Sequence, residues 1–406
     1  SVNWERFFEI VRKHDLAVDL VIEREAGDDR IGREGGFFKV KRVAGNLRGR
    51  KMATGIGIIG FGFMGKTHLR AWLDAIEGGA DARVVAIQCP EDLTSASAGN
   101  VETGAEEEMN PLDLGITHHR DLDSFLADSR VEAVSLCTPT DTHVELATLV
   151  LQAGKDVLIE KPVALEAEEI EKLATVARES GRECMPAMCM RYWPGWSWLR
   201  EQVKTGCLGP VHTARFQRIG AIPGWSQDFY HDESRSGGAL TDLHIHDVDF
   251  ILSTFGSPAT VMTSGDRNQM MTTFAYPEGP SSVTAEGAWY PAASYPFQMR
   301  YRVSFADGVA DYDLAREGRE LLLYQGDSVE EIELTPTGGY QLEIEHFLAV
   351  VRGKSSMPAP TLAEAANVAR WIQAEARAHK QQHLSSNDHH SKLPLKVLQL
   401  EPLAFA

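Results

Sequence analysis

The stretch Gly55-Ile56-Gly57-Ile58-Ile59-Gly60-Phe61-Gly62-Phe63-Met64-Gly65-Lys66-Thr67-His68 decides how the rest of the chain is read. Ile56, Ile58 and Ile59 make an apolar run of strand length, and Leu69 to Leu73 continue beyond the turn with the character of a helix. Gly60, Gly62 and Gly65 fit the spacing G-x-G-x-x-G. The first permits a tight turn, the second lets backbone approach a diphosphate, and the third lets the helix pack closely on the strand. A phosphate held there faces the free N–H groups and positive dipole end of the helix. Glycine-rich turns also arise from packing alone, so the strand before and the helix after carry the reading.

Outward from that turn, 406 residues exceed the usual span of one domain, and two domains with appendages are expected. A net charge of -18 disfavours nucleic acid and anionic membrane surfaces as partners. No apolar run is long enough to span a membrane. The five cysteines are odd in number and show no paired spacing, which points to neither a disulfide framework nor a zinc site and fits a reducing cytoplasm.

From residue 55 strands are expected at 55–60, 83–88, 132–137 and 156–159, and helices at 66–77, 121–128, 142–153 and 167–180. This alternation predicts an α/β fold: a Rossmann dinucleotide-binding domain with a parallel sheet over residues 53–183. The polar stretch Glu91 to Asn110 reads as a helix with flanking loops. Past residue 184 come strand-like runs at 211–219, 260–264, 281–290, 299–305 and 320–324, then helical stretches at 340–352 and 361–379. They predict an α+β domain over 184–380 with a large, mostly antiparallel sheet for substrate binding and oligomerisation. Residues 381–406 read as a tail, with Leu393 to Leu403 an extended arm. Residues 1–52 read as an N-terminal appendage, with a helix at Trp4 to His14, a strand at Val18 to Ile22 and a basic segment from Lys39 to Lys51. This appendage faintly resembles the last helix and strand of a sugar-phosphate-isomerase-type barrel, and no chemistry is assigned to it.

Three further segments matter together: Cys137-Thr138-Pro139-Thr140-Asp141-Thr142-His143, Glu160-Lys161-Pro162, and Gly237 through Asp249, which contains Asp242, His244 and His246. With the glycine turn, in this order, they resemble the Gfo/Idh/MocA family of sugar and polyol oxidoreductases over residues 53 to about 380. The resemblance implies a nicotinamide cofactor bound by Gly60, Gly62, Phe63, Met64, Gly65, Cys89, Thr138, Pro139, Thr140, His143, Glu160 and Lys161. It implies Lys161, Asp242 and His246 as catalytic residues. Taking a hydride from a secondary alcohol requires the hydroxyl proton to leave too, so such a site needs a base or a group that stabilises alkoxide. His246 is the favoured acceptor, with Asp242 one helical turn earlier to orient or charge it, and Lys161 would hold the substrate hydroxyl. Lysine and histidine stay open as alternatives for the proton. His244 and His246 at i, i+2 lack a convincing third ligand, so no metal is predicted. Asp249 is expected to support the helix or the histidine.

Two positions depart from the family pattern. Cys89 stands after the second strand, where an NAD-preferring member carries an aspartate for the ribose hydroxyls, and Thr140 stands where asparagine is usual. With no arginine close behind Cys89, and Glu91 and Asp92 there to repel a 2′-phosphate, the reading favours NAD over NADP. Lys161, Arg191, Trp225, Arg235, Asp242 and His246 are the expected substrate contacts, the substrate being a small sugar or polyol. Trp193, Trp196 and Trp289 suit a core or interface as well as a cleft. The resemblance implies a homodimer or homotetramer. A redox-assisted lyase or glycosidase that recycles NAD within one turnover would carry the same motifs. A non-catalytic nucleotide sensor or transcriptional regulator would need only the cofactor pocket.

Overall fold

The computed structural model describes residues 53–93, 110–224, 227–386 and 398–399. The helix and strand expected in residues 1–52, most of the stretch Glu91 to Asn110, and Trp225 lie outside them.

The first sheet has six parallel strands: β1 (Thr54–Ile59), β2 (Ala82–Gln88), β3 (Thr117–His119), β4 (Ala133–Leu136), β5 (Asp156–Glu160) and β6 (Cys184–Ala187). Their spatial order is β3-β2-β1-β4-β5-β6. All six residues of β1 are buried, as a central strand covered on both faces requires. The order reverses between β1 and β4, so the carboxyl ends of these strands diverge into a crevice, the usual ligand position in such sheets. Helices α1 (Phe63–Glu77), α2 (His143–Gln152) and α3 (Ala167–Ser180) are the long covers of this sheet.

The second sheet has nine strands: β7 (Val211–Ala221), β8 (Thr260–Gly265), β9 (Gln269–Ala275), β10 (Ser282–Tyr290), β11 (Gln298–Phe305), β12 (Gly308–Asp313), β13 (Leu321–Gln325), β14 (Ser328–Glu331) and β15 (Leu398–Gln399). Their order is β14-β13-β12-β11-β7-β10-β9-β8-β15, and every pairing is antiparallel except β7 with β10. Period-two alternation is clean in β11, where Met299, Tyr301, Val303 and Phe305 point into the core. Against that face lie α4 (Pro194–Thr205) and α5 (Ile245–Phe255), with Trp196, Leu199, Phe250 and Ile251 in the same core. Pro194 opens α4 and Gly206, at φ +66°, closes it.

Two C-terminal helices return to the first sheet. α6 (Gly339–Val351) packs Ile344, Phe347 and Leu348 on Trp72 and Ala75 of α1. α7 (Leu362–Ser386) opens on a capping box in which Thr361 Oγ1 accepts from the Glu364 N–H (3.1 Å) and Glu364 Oε2 accepts from the Thr361 N–H (2.8 Å). Its Leu362, Ala365, Ala366 and Ala369 join the core containing Ile170 and Leu173 of α3, while Val368, Trp371 and Ile372 join the core of the second sheet.

Candidate active site

The carboxyl ends of β1, β2, β4 and β5 open into a cleft of about 760 Å³. Gly60, Gly62, Phe63, Met64, Cys89, Thr138, Pro139, Thr140, Glu160 and Lys161 line one side, and Asp242 and His246 line the other. Of the residues expected to meet cofactor, this leaves out only Gly65 and His143.

The glycine turn fits a diphosphate on its own geometry. Gly60 sits at φ +84°, and a Cβ there would fall 2.8 Å from the Cys137 carbonyl oxygen. A Cβ on Gly65 would come within 2.1 Å of the Gly60 carbonyl oxygen, so that residue serves the close approach of α1 to the turn. Gly62 has open space where a side chain would stand and, as the N-cap residue, offers α1 no side-chain cap. The N-terminus of α1 thus opens into the cleft with no acid in its first turn.

His143 is buried beside the cleft rather than lining it. Its Nδ1 lies 2.9 Å from the Pro162 carbonyl oxygen and its Nε2 2.7 Å from that of Thr138. It therefore ties the Thr138 loop to the residue after Lys161 from behind.

Lys161 follows β5 through a cis peptide to Pro162. Its ammonium donates to the Asp242 carbonyl oxygen (2.8 Å) and to Asp242 Oδ1 (3.0 Å). Asp242 was expected to serve His246; it serves Lys161 instead, because the short helix Ala239–Asp242 ends where that ammonium arrives. Burial works against the charge on Lys161, but Asp242 and Glu160 outweigh it and hold its pKa above the ordinary lysine value. Glu160 is buried, its Oε2 accepting from the Lys161 backbone N–H (3.0 Å) and its Oε1 lying 2.9 Å from His68 Nε2.

His246 stands in the first turn of α5, with Nδ1 3.8 Å from Cys189 Sγ. Burial, then the positive charges of Lys161 and Arg218, push its pKa well below the ordinary histidine value. The site therefore sets a neutral imidazole beside a charged ammonium. His244 turns away to Glu375, 3.1 Å from its Nε2. Among the described residues no group of three or more metal-ligating side chains is brought together.

Arg191 is not among the residues that line the cleft. It is 8% exposed, and its guanidinium donates to both oxygens of Asp249 (2.9 and 2.6 Å) and to Glu364 Oε1 (3.2 Å). Three acceptors already claim it, and Asp249 thereby braces this arginine rather than the histidine. Arg235 pairs with Asp141 (2.9 and 3.3 Å) at the surface and stacks on the Phe229 ring, 5.5 Å from its centroid. Trp196 and Trp289 belong to the core, while Trp193 lines the cleft.

Several lining residues were invisible to motif reading. Phe229, Tyr230, Phe297, Met299 and Tyr340 come from three separate parts of the chain. Glu343 on α6 is fully buried with no hydrogen-bond partner for either oxygen among the described residues, and burial, with the like charges of Glu160 and Asp249, raises its pKa well above the ordinary value.

A parallel sheet with a glycine turn and helix N-terminus at its switch point, joined to a sheet domain that brings an acid and a histidine to the same cleft, defines an oxidoreductase with a Rossmann nucleotide-binding domain. Residues 54–188 match the family model described as "Oxidoreductase family, NAD-binding Rossmann fold", and residues 196–309 match "GFO/IDH/MocA C-terminal domain". The chain belongs to the Gfo/Idh/MocA oxidoreductase family. It is 26% identical over 343 residues to the inositol 2-dehydrogenase of Rhizobium meliloti (strain 1021), covering 78% of this chain and 96% of that enzyme. It is 25% identical over 314 residues to the scyllo-inositol 2-dehydrogenase (NAD(+)) of Bacillus subtilis (strain 168), covering 73% and 85%. Its fold matches levoglucosan dehydrogenase in complex with NADH and levoglucosan at a TM-score of 0.66, with 20% identity over 80% of this chain and 97% of that one.

Proposed function

We propose that the chain is a dehydrogenase that oxidises a secondary alcohol of a sugar or polyol with NAD, Lys161 holding the substrate hydroxyl and His246 taking its proton. When bound, the nicotinamide supplies the hydride acceptor. Gly60, Gly62, Phe63 and Met64 hold the diphosphate, and Thr138, Pro139 and Thr140 flank the nicotinamide half. The observation that carries the division of labour is the opposite tuning of two groups in one cleft. A raised lysine pKa keeps a proton on Nζ, so Lys161 donates to the alcohol oxygen and lowers the cost of negative charge there. A lowered histidine pKa keeps His246 unprotonated at neutral pH and ready to accept. Asp242 holds the ammonium in place. The proton of the alcohol goes to His246, the hydride leaves the same carbon, and a carbonyl remains.

The preference for NAD rests on Glu91, whose Oε2 accepts from the Cys89 thiol (3.1 Å) at the end of β2. A 2′-phosphate would meet that carboxylate at close range. Arg120 reaches the same rim but is held by Asp92 and the Pro90 carbonyl oxygen. The related inositol dehydrogenases, which cover most of this chain, support a sugar or polyol as substrate. We infer that a second copy covers the outer face of the nine-stranded sheet; sedimentation of a monomer at micromolar concentration would remove that reading.

The test is absorbance at 340 nm with NAD or NADP against a panel of sugars and cyclic polyols. Stoichiometric NADH with at least one secondary alcohol, and a higher kcat/KM for NAD, is the expected result. Turnover without net NADH would point to internal redox recycling, and bound dinucleotide that never changes redox state would end the enzyme reading.

A further inference from the structure

A neutral imidazole carries one N–H and one bare nitrogen, and the hydrogen bond made at one nitrogen decides the state of the other. For His246 to take the alcohol proton at Nε2, the ring must keep its own proton on Nδ1. A buried Nδ1–H in turn needs an acceptor.

The acids around α5 are committed elsewhere. Asp242 serves Lys161, and Asp247 accepts from Arg218 at both oxygens (3.2 and 2.9 Å). Asp249 holds Arg191, and Glu375 holds His244. Among the described residues the His246 ring has one hydrogen-bond partner, the Cys189 sulfur 3.8 Å from Nδ1. Cys189 opens the short helical turn Cys189–Arg191, two residues past β6. Arg191, at the end of that turn, is fastened to Asp249, one turn of α5 beyond His246. The same two segments thus meet twice, thiol to imidazole and guanidinium to carboxylate. The buried ion pair keeps the sulfur opposite the ring.

The thiol is neutral. Cys189 is 5% exposed, and burial, with the charges of Glu343 and Glu160, raises its pKa well above the ordinary value. A carboxylate in this place would favour the charged ring and raise its pKa, whereas a neutral sulfur orients the ring without charging it.

We infer, on the dehydrogenase reading above, that Cys189 is the positioning residue for the proton transfer: its sulfur accepts from Nδ1–H of His246 and leaves Nε2 bare for the alcohol proton. The opposite arrangement, with the thiol proton directed at Nδ1, puts hydrogen on Nε2 and removes the acceptor. The role that spacing suggested for Asp242 falls instead to a residue 57 positions away from the histidine.

The experiment runs the full chain with NAD and an alcohol that yields NADH. Cys189→Val keeps the bulk of the thiol without its lone pairs, and should lower kcat roughly fivefold or more while KM for NAD stays within about twofold. Asparagine carries its carbonyl oxygen further from Cβ than cysteine carries its sulfur, so Cys189→Asn returns an acceptor to Nδ1. It should be faster than Cys189→Leu, which has the same shape without the oxygen; a packing role gives the reverse order. A kcat within about twofold of the parent in Cys189→Val, a change carried by KM for NAD instead, or Cys189→Asn no faster than Cys189→Leu overturns the inference. Nitrogen NMR of the histidine-labelled protein, with His246 assigned by its loss in His246→Gln, decides the point if those variants do not fold or if no alcohol yields NADH. A proton on Nδ1 and none on Nε2 at pH 7 supports the role of Cys189, and a proton on Nε2 overturns it. Failure of the dehydrogenase reading shows separately, as the absence of NADH with every alcohol.

Discussion

The Lys161 ammonium and Asp242 are joined twice, once through the carboxylate at 3.0 Å and once through the backbone carbonyl at 2.8 Å. The pair fastens the first residue after β5 to a short helix of the second domain. Lys161→Met is expected to lower kcat/KM by roughly 10²–10³, as for loss of a donor aimed at developing negative charge. Asp242→Asn removes the charge that keeps the lysine pKa high, so the alkaline fall of the kcat/KM profile should move to lower pH. An alkaline limb that stays put in Asp242→Asn would dissociate the pair from the chemistry.

His246 predicts the other limb. Its native pKa lies well below 6.5, so activity should persist on acidification past pH 6.5 and fall only when the buried ring charges. Stability has the same sign. Below pH 6.5 the unfolded chain takes up a proton at this residue that the native state refuses, so the contribution declines by about 1.4 kcal/mol per pH unit down to the native pKa. The stability difference between the parent and His246→Gln, measured by urea unfolding from pH 7 to pH 5, should shrink accordingly.

Glu343 runs the opposite way. It is protonated when buried and ionised when unfolded above about pH 4.3, so its contribution declines as pH rises from there toward its raised native pKa. Glu343→Gln keeps the shape without the proton. We expect a flatter stability profile and a gain of roughly 1–3 kcal/mol at pH 7; a variant less stable than the parent at pH 7 and equally pH-dependent would contradict it.

Arg191→Met leaves Asp249 buried at 1% exposure without its partner and should cost about 3–5 kcal/mol. Arg191→Met with Asp249→Leu should recover much of that loss. A higher KM at unchanged melting temperature in the single variant would instead return Arg191 to the substrate.

Gly65→Ala pushes α1 off the Gly60 carbonyl, with a Cβ 2.1 Å from that oxygen. Dinucleotide affinity, read by fluorescence titration with NADH, should fall at least tenfold, with a loss of thermal stability alongside it.

The strand, turn and helix at residues 54–77 were legible because apolar period and glycine spacing are local signals. The same holds for β7, β10 and β11, whose alternation is regular. Short or polar strands escaped: β12 is Gly-Val-Ala-Asp-Tyr-Asp, and β14 is exposed throughout. α4 was hidden because its tryptophans suited a cleft as well as a core, although Pro194 and Gly206 mark its ends. Partners were the hardest to read. Asp242 lies 81 residues from Lys161, and Asp249 lies 58 from Arg191, so which acid meets which base is set by the packing of the two sheets rather than by spacing. The spacing of Asp242 and His246 suggested a pair that the end of the short helix redirects.

α7 carries side chains into two cores, Leu362 and Ala366 toward the parallel sheet and Trp371 and Ile372 toward the antiparallel one. The nucleotide-binding half is therefore not a transplantable module. A gene fragment ending near residue 188 would strip Ile170 and Leu173 of part of their cover, and recombination that exchanges the substrate domain must carry the last helices with it. The end of the chain behaves as a clasp whose inheritance is tied to both halves at once.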